Sequence, residues 1–144
     1  LLDDPDYRLY GLRGEAGVSA LCAVWALSDR LFIEHLAVDP SQRNGGVGGR
    51  FLDDVIAACK MPAVLEVEPP ETEMARRRIG FYQRHGFFLN EYDYHQPPLR
   101  AGHEKLPLLV MTTGAPLNRG EFEALRRDIY ARVYKADARG DKLA

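Results

Sequence analysis

The chain of 144 residues is poor in several things that usually decide a protein's class. It has two cysteines, Cys22 and Cys59, far apart and in no CxxC or zinc spacing. That excludes a disulfide framework or a zinc module. Free thiols in apolar runs suit a reducing, cytoplasmic setting. The four histidines show neither HxxxH nor HxH spacing, so no metal ligand is assigned. No apolar run approaches the roughly 20 residues that span a bilayer, and no signal-peptide pattern opens the chain. Charge of one sign is lacking too: 19 Lys and Arg against 21 Asp and Glu leave a net charge of −2. A pI near 6.1 argues against a protein that neutralises a nucleic-acid backbone, and no membrane partner is expected. Internal repeats and low-complexity segments are missing. So is an initiating methionine: the chain starts at Leu1, which suggests a processed N-terminus or a missing preceding segment.

What is present reads as one soluble domain, large enough to bury about 68–70% of its unfolded surface. Residues Tyr7 to Leu12, Val18 to Leu27 and Leu31 to Val38 read as strands joined by short turns, an antiparallel meander. Asp39 to Gly45 is a polar loop. Val47 to Cys59 has helical spacing, with Val47, Phe51, Val55 and Ala58 on one face. Ala63 to Val67 is a short strand, and the intervening helix implies a parallel crossover from the strand before it. Glu71 to His85 is a helix stopped by Gly86, with acidic residues in its first turn and arginines further along. Phe87 to Tyr94 and Leu106 to Thr113 are strands, and Arg119 to Lys135 is an amphipathic helix carrying Phe122, Leu125, Ile129 and Val133 on one side. The fold class is therefore α/β in the mixed, α+β sense, with a mostly antiparallel sheet flanked by helices. We expect a core over residues 1–115 and a C-terminal amphipathic helix and tail over 116–144.

The segment LAVDPSQRNGGVGG, Leu36 to Gly49, carries the most information. A strand ends, a glycine-rich loop follows and a helix starts at once. Backbone N–H groups then converge at the positive end of the helix, an arrangement suited to an anion. A tight turn with glycines at positive φ is the simpler reading of the same residues. The loop is not a P-loop, because Gly49-Arg50-Phe51 stands where Lys-Ser or Lys-Thr is required. GxGxxG fails as well, at Phe51.

Arg43-x-x-Gly46-x-Gly48 does fit the [QR]xxGx[GA] signature, and here the chain resembles the GCN5-related N-acetyltransferase (GNAT) superfamily. The strand text Phe32 to Pro40 resembles that family's fourth strand, and Phe81-Tyr82-Gln83-Arg84-His85-Gly86-Phe87 its Tyr-x-x-x-Gly-Phe segment. The order of elements from Tyr7 to Thr113 also matches. The family's fold normally opens with a strand and two helices before the strand at Tyr7, so the resemblance implies that this opening is absent here or replaced by a partner.

The resemblance implies transfer of the acetyl group of acetyl-coenzyme A to an amine by direct attack in a ternary complex. Backbone groups of Leu36, Ala37 and Val38 would pair with the pantetheine arm, admitted by a splay between Leu31–Val38 and Ala63–Val67. An amide near Leu36 would polarise the thioester carbonyl. Arg43, Asn44, Gly45, Gly46, Val47, Gly48 and Gly49 would hold the pyrophosphate, and Tyr82 would protonate the departing thiolate. An asparagine that often contacts the cofactor is replaced by the Pro69-Pro70-Glu71 stretch.

For the proton of the amine, strand alternation places Phe32, Glu34, Leu36 and Val38 on one face. Glu34 is then a carboxylate on an apolar face, where desolvation would raise its pKa. It serves as a general base or as a structural glutamate, and Glu66 and Glu68 are rivals. The arginines Arg76 to Arg78 either reach a 3′-phosphate or form a solvated face. Tyr92-Asp93-Tyr94-His95 lies where the family shapes its acceptor pocket, and tyrosines with an aspartate would suit a cationic amine; a strand rim with exposed tyrosines is the other reading. The C-terminal helix packs on the sheet or on a second subunit of a homodimer. A coenzyme A-binding sensor without transfer activity is the alternative function, and neither reading invokes a metal.

Overall fold

Short turns and one glycine at positive φ convert the first apolar runs into a meander. The computed structural model describes residues 3–98 and 102–143, the side chains of Arg43 and Asn44 excepted. They fall into two compact units, 1–63 and 64–144.

In the first unit, β1 (Tyr7–Gly14), β2 (Gly17–Ala26) and β3 (Leu31–Val38) pair antiparallel in chain order. Gly17 turns the first hairpin at φ +117°, a conformation that L-residues with a Cβ rarely adopt. Between β2 and β3 the register passes from Ala23↔His35 to Val24↔Ile33, which leaves Glu34 as one extra residue on β3. This is a β-bulge, and it breaks the in-and-out alternation along the strand. A 3-10 turn, Pro40–Gly45, leads into α1 (Val47–Cys59). The helix buries Gly49, Phe51, Leu52 and Val55. Ala58, expected on that face, is exposed, and the face is continued by Leu52 instead. With Cys22, Val24, Leu31 and Ile33 these residues form the core of this unit. Lys60 ends the helix in the left-handed region at φ +55°, its N–H on the Ile56 carbonyl.

The second unit takes up most of β4 (Ala63–Val67), then α2 (Glu73–Arg84), β5 (Phe87–Gln96), β6 (Leu106–Thr113) and α3 (Arg119–Ile129). β6 pairs antiparallel with both β4 and β5 and so lies between them. The Thr72 hydroxyl accepts from Ala75 N at the start of α2, which is why the helix begins two residues later than Glu71. Asn118 and Glu121 form a capping box at the start of α3. That helix buries Phe122, Leu125 and Ile129 as the pattern requires, and its last turn, Tyr130–Tyr134, widens to π-helical geometry. Phe122 stacks on Tyr92 of β5 at 4.8 Å, so α3 packs on the sheet of its own unit.

Asn90 of β5 is the buried polar hub here. Its amide nitrogen donates to the Val110 carbonyl and the Thr112 hydroxyl, and its oxygen accepts from Leu117 N at 2.7 Å. Past Asn90 the register jumps to Tyr94↔Leu108, so β5 carries a bulge over residues 91–93.

Candidate active site

The glycine loop owes its shape to Asp39 and two glycines. The Asp39 carboxylate accepts from Ser41 N at 2.9 Å and from the Ser41 hydroxyl at 2.8 Å, which caps the 3-10 turn. Its own N–H donates to the Ser19 carbonyl at 2.8 Å and ties the end of β3 to β2. Gly46, at φ +72°, then reverses the chain into α1. Arg50 N reaches back to the Gly46 carbonyl at 3.2 Å. The amides of Val47, Gly48 and Gly49 therefore precede the first bond of the helix and have no partner within it. No acidic residue stands in the first turn of α1, and no side chain caps its start. A Cβ on Gly48 would meet Val38 Cγ2 at 3.0 Å, so the helix start lies hard against the end of β3. Orphan amides, a positive helix end and close backbone approach suit a pyrophosphate. The side chains of Arg43 and Asn44 lie outside the described residues, so their part in this loop rests on the sequence.

Leu36, Ala37 and Val38 are half-buried, and a shallow groove lined by Val18, Ala20, Ala37 and Val38 runs along the ends of β2 and β3. Glu34 departs from expectation. Its side chain is exposed, and its Oε2 accepts from Trp25 Nε1 at 3.2 Å. Desolvation therefore does not single it out. The bulge is the reason: alternation counted through Glu34 from Phe32 to Leu36 does not keep one face. His35 is exposed as well.

In the second unit, Tyr82 of α2 is half-buried, with its ring 5.2 Å from Phe81 and 5.6 Å from Phe87. The arginines beside it are exposed and engaged locally. Arg76 donates to the Pro70 carbonyl, Arg77 pairs with Glu73, and Arg78 pairs with Glu68 at 3.7 Å. Glu68 is thus an exposed partner of Arg78.

Glu66 is different. It is half-buried in an otherwise buried strand, and donors from two elements meet it. Tyr94 donates to Oε2 at 2.5 Å, Tyr134 to Oε1 at 2.5 Å, and Gln96 Nε2 to Oε1 at 3.1 Å. Gln96 also donates to the Tyr134 hydroxyl at 2.9 Å. Burial, then the charge of Glu66, raises the Tyr94 pKa well above the ordinary tyrosine value. Tyr92 is half-buried and Tyr94 buried, so neither is an exposed tyrosine of a strand rim. Tyr92 donates to the Leu117 carbonyl and lies under Arg119, while Tyr94 points its hydroxyl at Glu66. Tyr134 and Gln96 were not singled out in the sequence. The available signal was the lone glutamate in AVLEV, whose charge demands donors once the strand is buried.

Among the described residues no cluster of three or more His, Cys, Asp or Glu could hold a metal ion, and no helix is long and apolar enough to cross a membrane.

Residues 5–88 match the family model "Acetyltransferase (GNAT) domain". A GNAT-family protein of Bacteroides thetaiotaomicron is 36% identical over 94% of this chain and 77% of its own, with a TM-score of 0.86. Two more distant structures share the fold. One is a Bacillus subtilis acetyltransferase in complex with coenzyme A, at 14% identity over 76% of this chain and 78% of its own, TM-score 0.58. The other is a GNAT acetyltransferase of Elizabethkingia anophelis with acetyl-coenzyme A bound, at 20% identity over 76% and 77%, TM-score 0.57. No curated protein matches the chain in sequence. Fold, family model and the 36% relative agree that this chain is built as an acetyltransferase. It belongs to the GNAT family and has the acyl-CoA N-acyltransferase fold, a mixed α+β architecture.

Proposed function

We propose that the chain is an N-acetyltransferase that moves the acetyl group of acetyl-coenzyme A to a primary amine of a small molecule or peptide in the cytoplasm. The observation that carries this reading is the start of α1: orphan amides of Val47, Gly48 and Gly49 behind a left-handed Gly46, with no acidic side chain in the first turn. The bound ligands of the Bacillus subtilis and Elizabethkingia anophelis structures support the same cofactor.

In this reading the residues 43–49 hold the pyrophosphate through backbone amides, and Leu36, Ala37 and Val38 pair with the pantetheine arm. The amine nitrogen attacks the thioester carbonyl, a C–N bond forms and the C–S bond breaks. Tyr82 gives its phenolic proton to the departing thiolate. A phenol of ordinary acidity is neutral at pH 7, as this role requires. The proton of the amine leaves to a carboxylate, for which Glu34 is the candidate on β3. Because Glu34 is solvated, water completes its path.

The test has two parts. Acetyl-coenzyme A at 100 times its Kd should add about 2.7 kcal/mol to thermal stability. An amine and peptide panel, followed by release of free thiol, should then find an acceptor. A stability gain without transfer to any member would favour a sensor, and no gain at millimolar cofactor would remove both readings.

A further inference from the structure

Side chains of β2 alternate, so Leu21, Ala23 and Trp25 share one side of the first unit and Cys22 takes the other. Tyr10, opposite Cys22, has its hydroxyl 3.4 Å from the Cys59 sulfur of α1, so the helix covers the Cys22 side. The other side is built of cross-strand rows. Leu9, Ala23 and His35 make one row, and Gly11, Leu21 and Ala37 the next. Simple alternation would put Glu34 on the helix side, away from His35. The extra residue of the bulge cancels that separation: Glu34 accepts from Trp25 Nε1 at 3.2 Å and so stands on the same side as His35. Both are exposed. Glu34 is tethered to the indole, while His35 has no hydrogen-bond or ion-pair partner among the described residues. Leu9 and Ala23, its neighbours in the row, are uncharged. Glu34 and Tyr7, which packs on Trp25, are the titratable side chains to one side of that row, and Arg13 follows Gly11 on the other. The next row opens onto the groove that Leu21 and Ala37 line with Val18. His35 also directly precedes Leu36–Val38, the backbone proposed to pair with the pantetheine arm.

A primary alkylamine arrives at neutral pH as an ammonium, and two protons must leave its nitrogen before an amide results. The first departs before the nitrogen has a lone pair for attack, the second once the C–N bond has formed. Tyr82 gives one proton to sulfur and is restored from solvent, so the whole transfer releases one. An alkylammonium is a weak acid and its proton needs the stronger base. Imidazole, whose ordinary pKa lies near neutrality, is better matched to that task than a carboxylate. The nitrogen of the adduct is more acidic, and a carboxylate acting through water suffices for it.

We propose that His35 is a second proton acceptor of the transfer: its imidazole takes the proton that converts the ammonium into the attacking amine, and Glu34 takes the proton released after the C–N bond forms. The exposed imidazole then returns its proton to solvent. The proposal rests on the N-acetyltransferase reading and adds a catalytic residue to it. Both bases lie in the first unit, on one strand, and the bulge is what brings them to one side.

The experiment compares kcat/KM at pH 7 for ethylamine, which arrives as an ammonium, and for 2,2,2-trifluoroethylamine, whose fluorines leave it chiefly as the neutral amine. His35→Gln replaces an exposed side chain, so the fold is spared, and the thermal shift produced by acetyl-coenzyme A should match wild type. The variant should lose about 100-fold in kcat/KM for ethylamine, within the usual range for a general base. For the fluorinated amine, which has no first proton to give up, it should lose less than about threefold. Equal losses with the two amines overturn the proposal, as does an ethylamine rate that His35→Gln leaves unchanged. Where the wild type uses a different primary amine of the panel, that amine is compared at pH 7 and pH 9. The His35→Gln defect should then shrink severalfold at the higher pH, as solvent supplies the free amine, and a constant defect overturns the proposal. A wild type that acetylates no member of the panel overturns the N-acetyltransferase reading itself, and the role of His35 with it.

Discussion

Gly48 and Val38 approach so closely that a Cβ on the glycine would lie 3.0 Å from the valine methyl Cγ2. Two effects of Gly48→Ala therefore oppose each other. Alanine gains about 0.8–1 kcal/mol of helix propensity at the start of α1, while the Val38 methyl must give way by a few tenths of an ångström. Stability should change by less than about 1 kcal/mol. Binding has no such compensation, because the shift that relieves the Val38 contact moves the start of α1, whose amides are proposed to hold the pyrophosphate. The expected result is a melting temperature near wild type and a Kd for acetyl-coenzyme A raised about tenfold, read by calorimetry. An unchanged Kd would detach Gly48 from the cofactor.

Tyr82→Phe removes a hydroxyl and leaves the ring contacts with Phe81 and Phe87 in place. If the phenol protonates the departing thiolate, kcat should fall about 100-fold, within the usual range for a general acid, with little change in KM for acetyl-coenzyme A. A loss of stability with kcat intact would make Tyr82 a packing residue only.

The sequence was most legible where side chains obey one period. β3, α1, β4 and β6 fall at the boundaries read from the sequence, since each combines an apolar run with proline, glycine or polar text at its ends. Bulges were not legible. The extra residue at Glu34 costs nothing in composition, yet it invalidates a parity argument that runs through it. Tyr92 and Tyr94 lie at a second bulge, and their partners, Leu117, Arg119 and Glu66, come from elsewhere in the chain. The glycine loop was legible because its chemistry is local, within Asp39 to Gly49. The Glu66 cluster was not, because Tyr134 lies 68 residues away and only the fold brings it there. The end of α3 was overrun for a related reason: the apolar stripe continues through Tyr130 and Tyr134 while the backbone widens to a π-turn.

Asn90 supports the second unit by donating to the Val110 and Phe88 carbonyls and the Thr112 hydroxyl and by accepting from Leu117 N. Replacing it with leucine leaves the Leu117 amide without its acceptor in a buried setting and removes the donor to the Thr112 hydroxyl, which keeps its own bond to the Ala115 carbonyl. An orphaned buried amide costs about 1–3 kcal/mol, and with the lost donated bonds a loss of about 3 kcal/mol is expected. For a chain of this size that lowers the melting temperature by roughly 10 °C. A shift below about 2 °C in calorimetry would show that water replaces the lost donors and acceptors.

Cys22 and Cys59 should separate cleanly by reactivity. Cys22 is fully buried on β2, and burial pushes its thiol up to about 12. Cys59 is half-buried, with its sulfur 3.4 Å from the Tyr10 hydroxyl. Only the thiolate alkylates at a useful rate. Native protein at pH 8 should therefore take up one iodoacetamide, at Cys59, and two only after unfolding. Mass spectrometry of the native digest decides this, and early labelling of Cys22 would contradict its burial.

Asp137 gives the C-terminal turn a pH dependence of defined sign. Its Oδ1 accepts from Arg139 N at 2.9 Å and from Asp141 N at 3.0 Å, and the guanidinium of Arg139 lies 3.9 Å from Oδ2. The backbone donors, above all Asp141 N, hold its pKa below the ordinary 3.8. A depressed folded pKa means that the carboxylate supports the turn at neutral pH. That support is fully present above the unfolded value and is lost as pH falls through the folded one. The turn includes the bridge from Ala136 to Lys142 and carries Lys142 to the Tyr134 carbonyl. Carboxyl NMR should therefore place the Asp137 midpoint below 3.8. Amide exchange of Ala136 and Leu143 should quicken over that same acid range, before the strands yield. Asp137→Asn keeps an acceptor oxygen and should remove this acid step while leaving the turn formed at neutral pH. A midpoint at or above 3.8 would show that the backbone donors do not hold the carboxylate in solution.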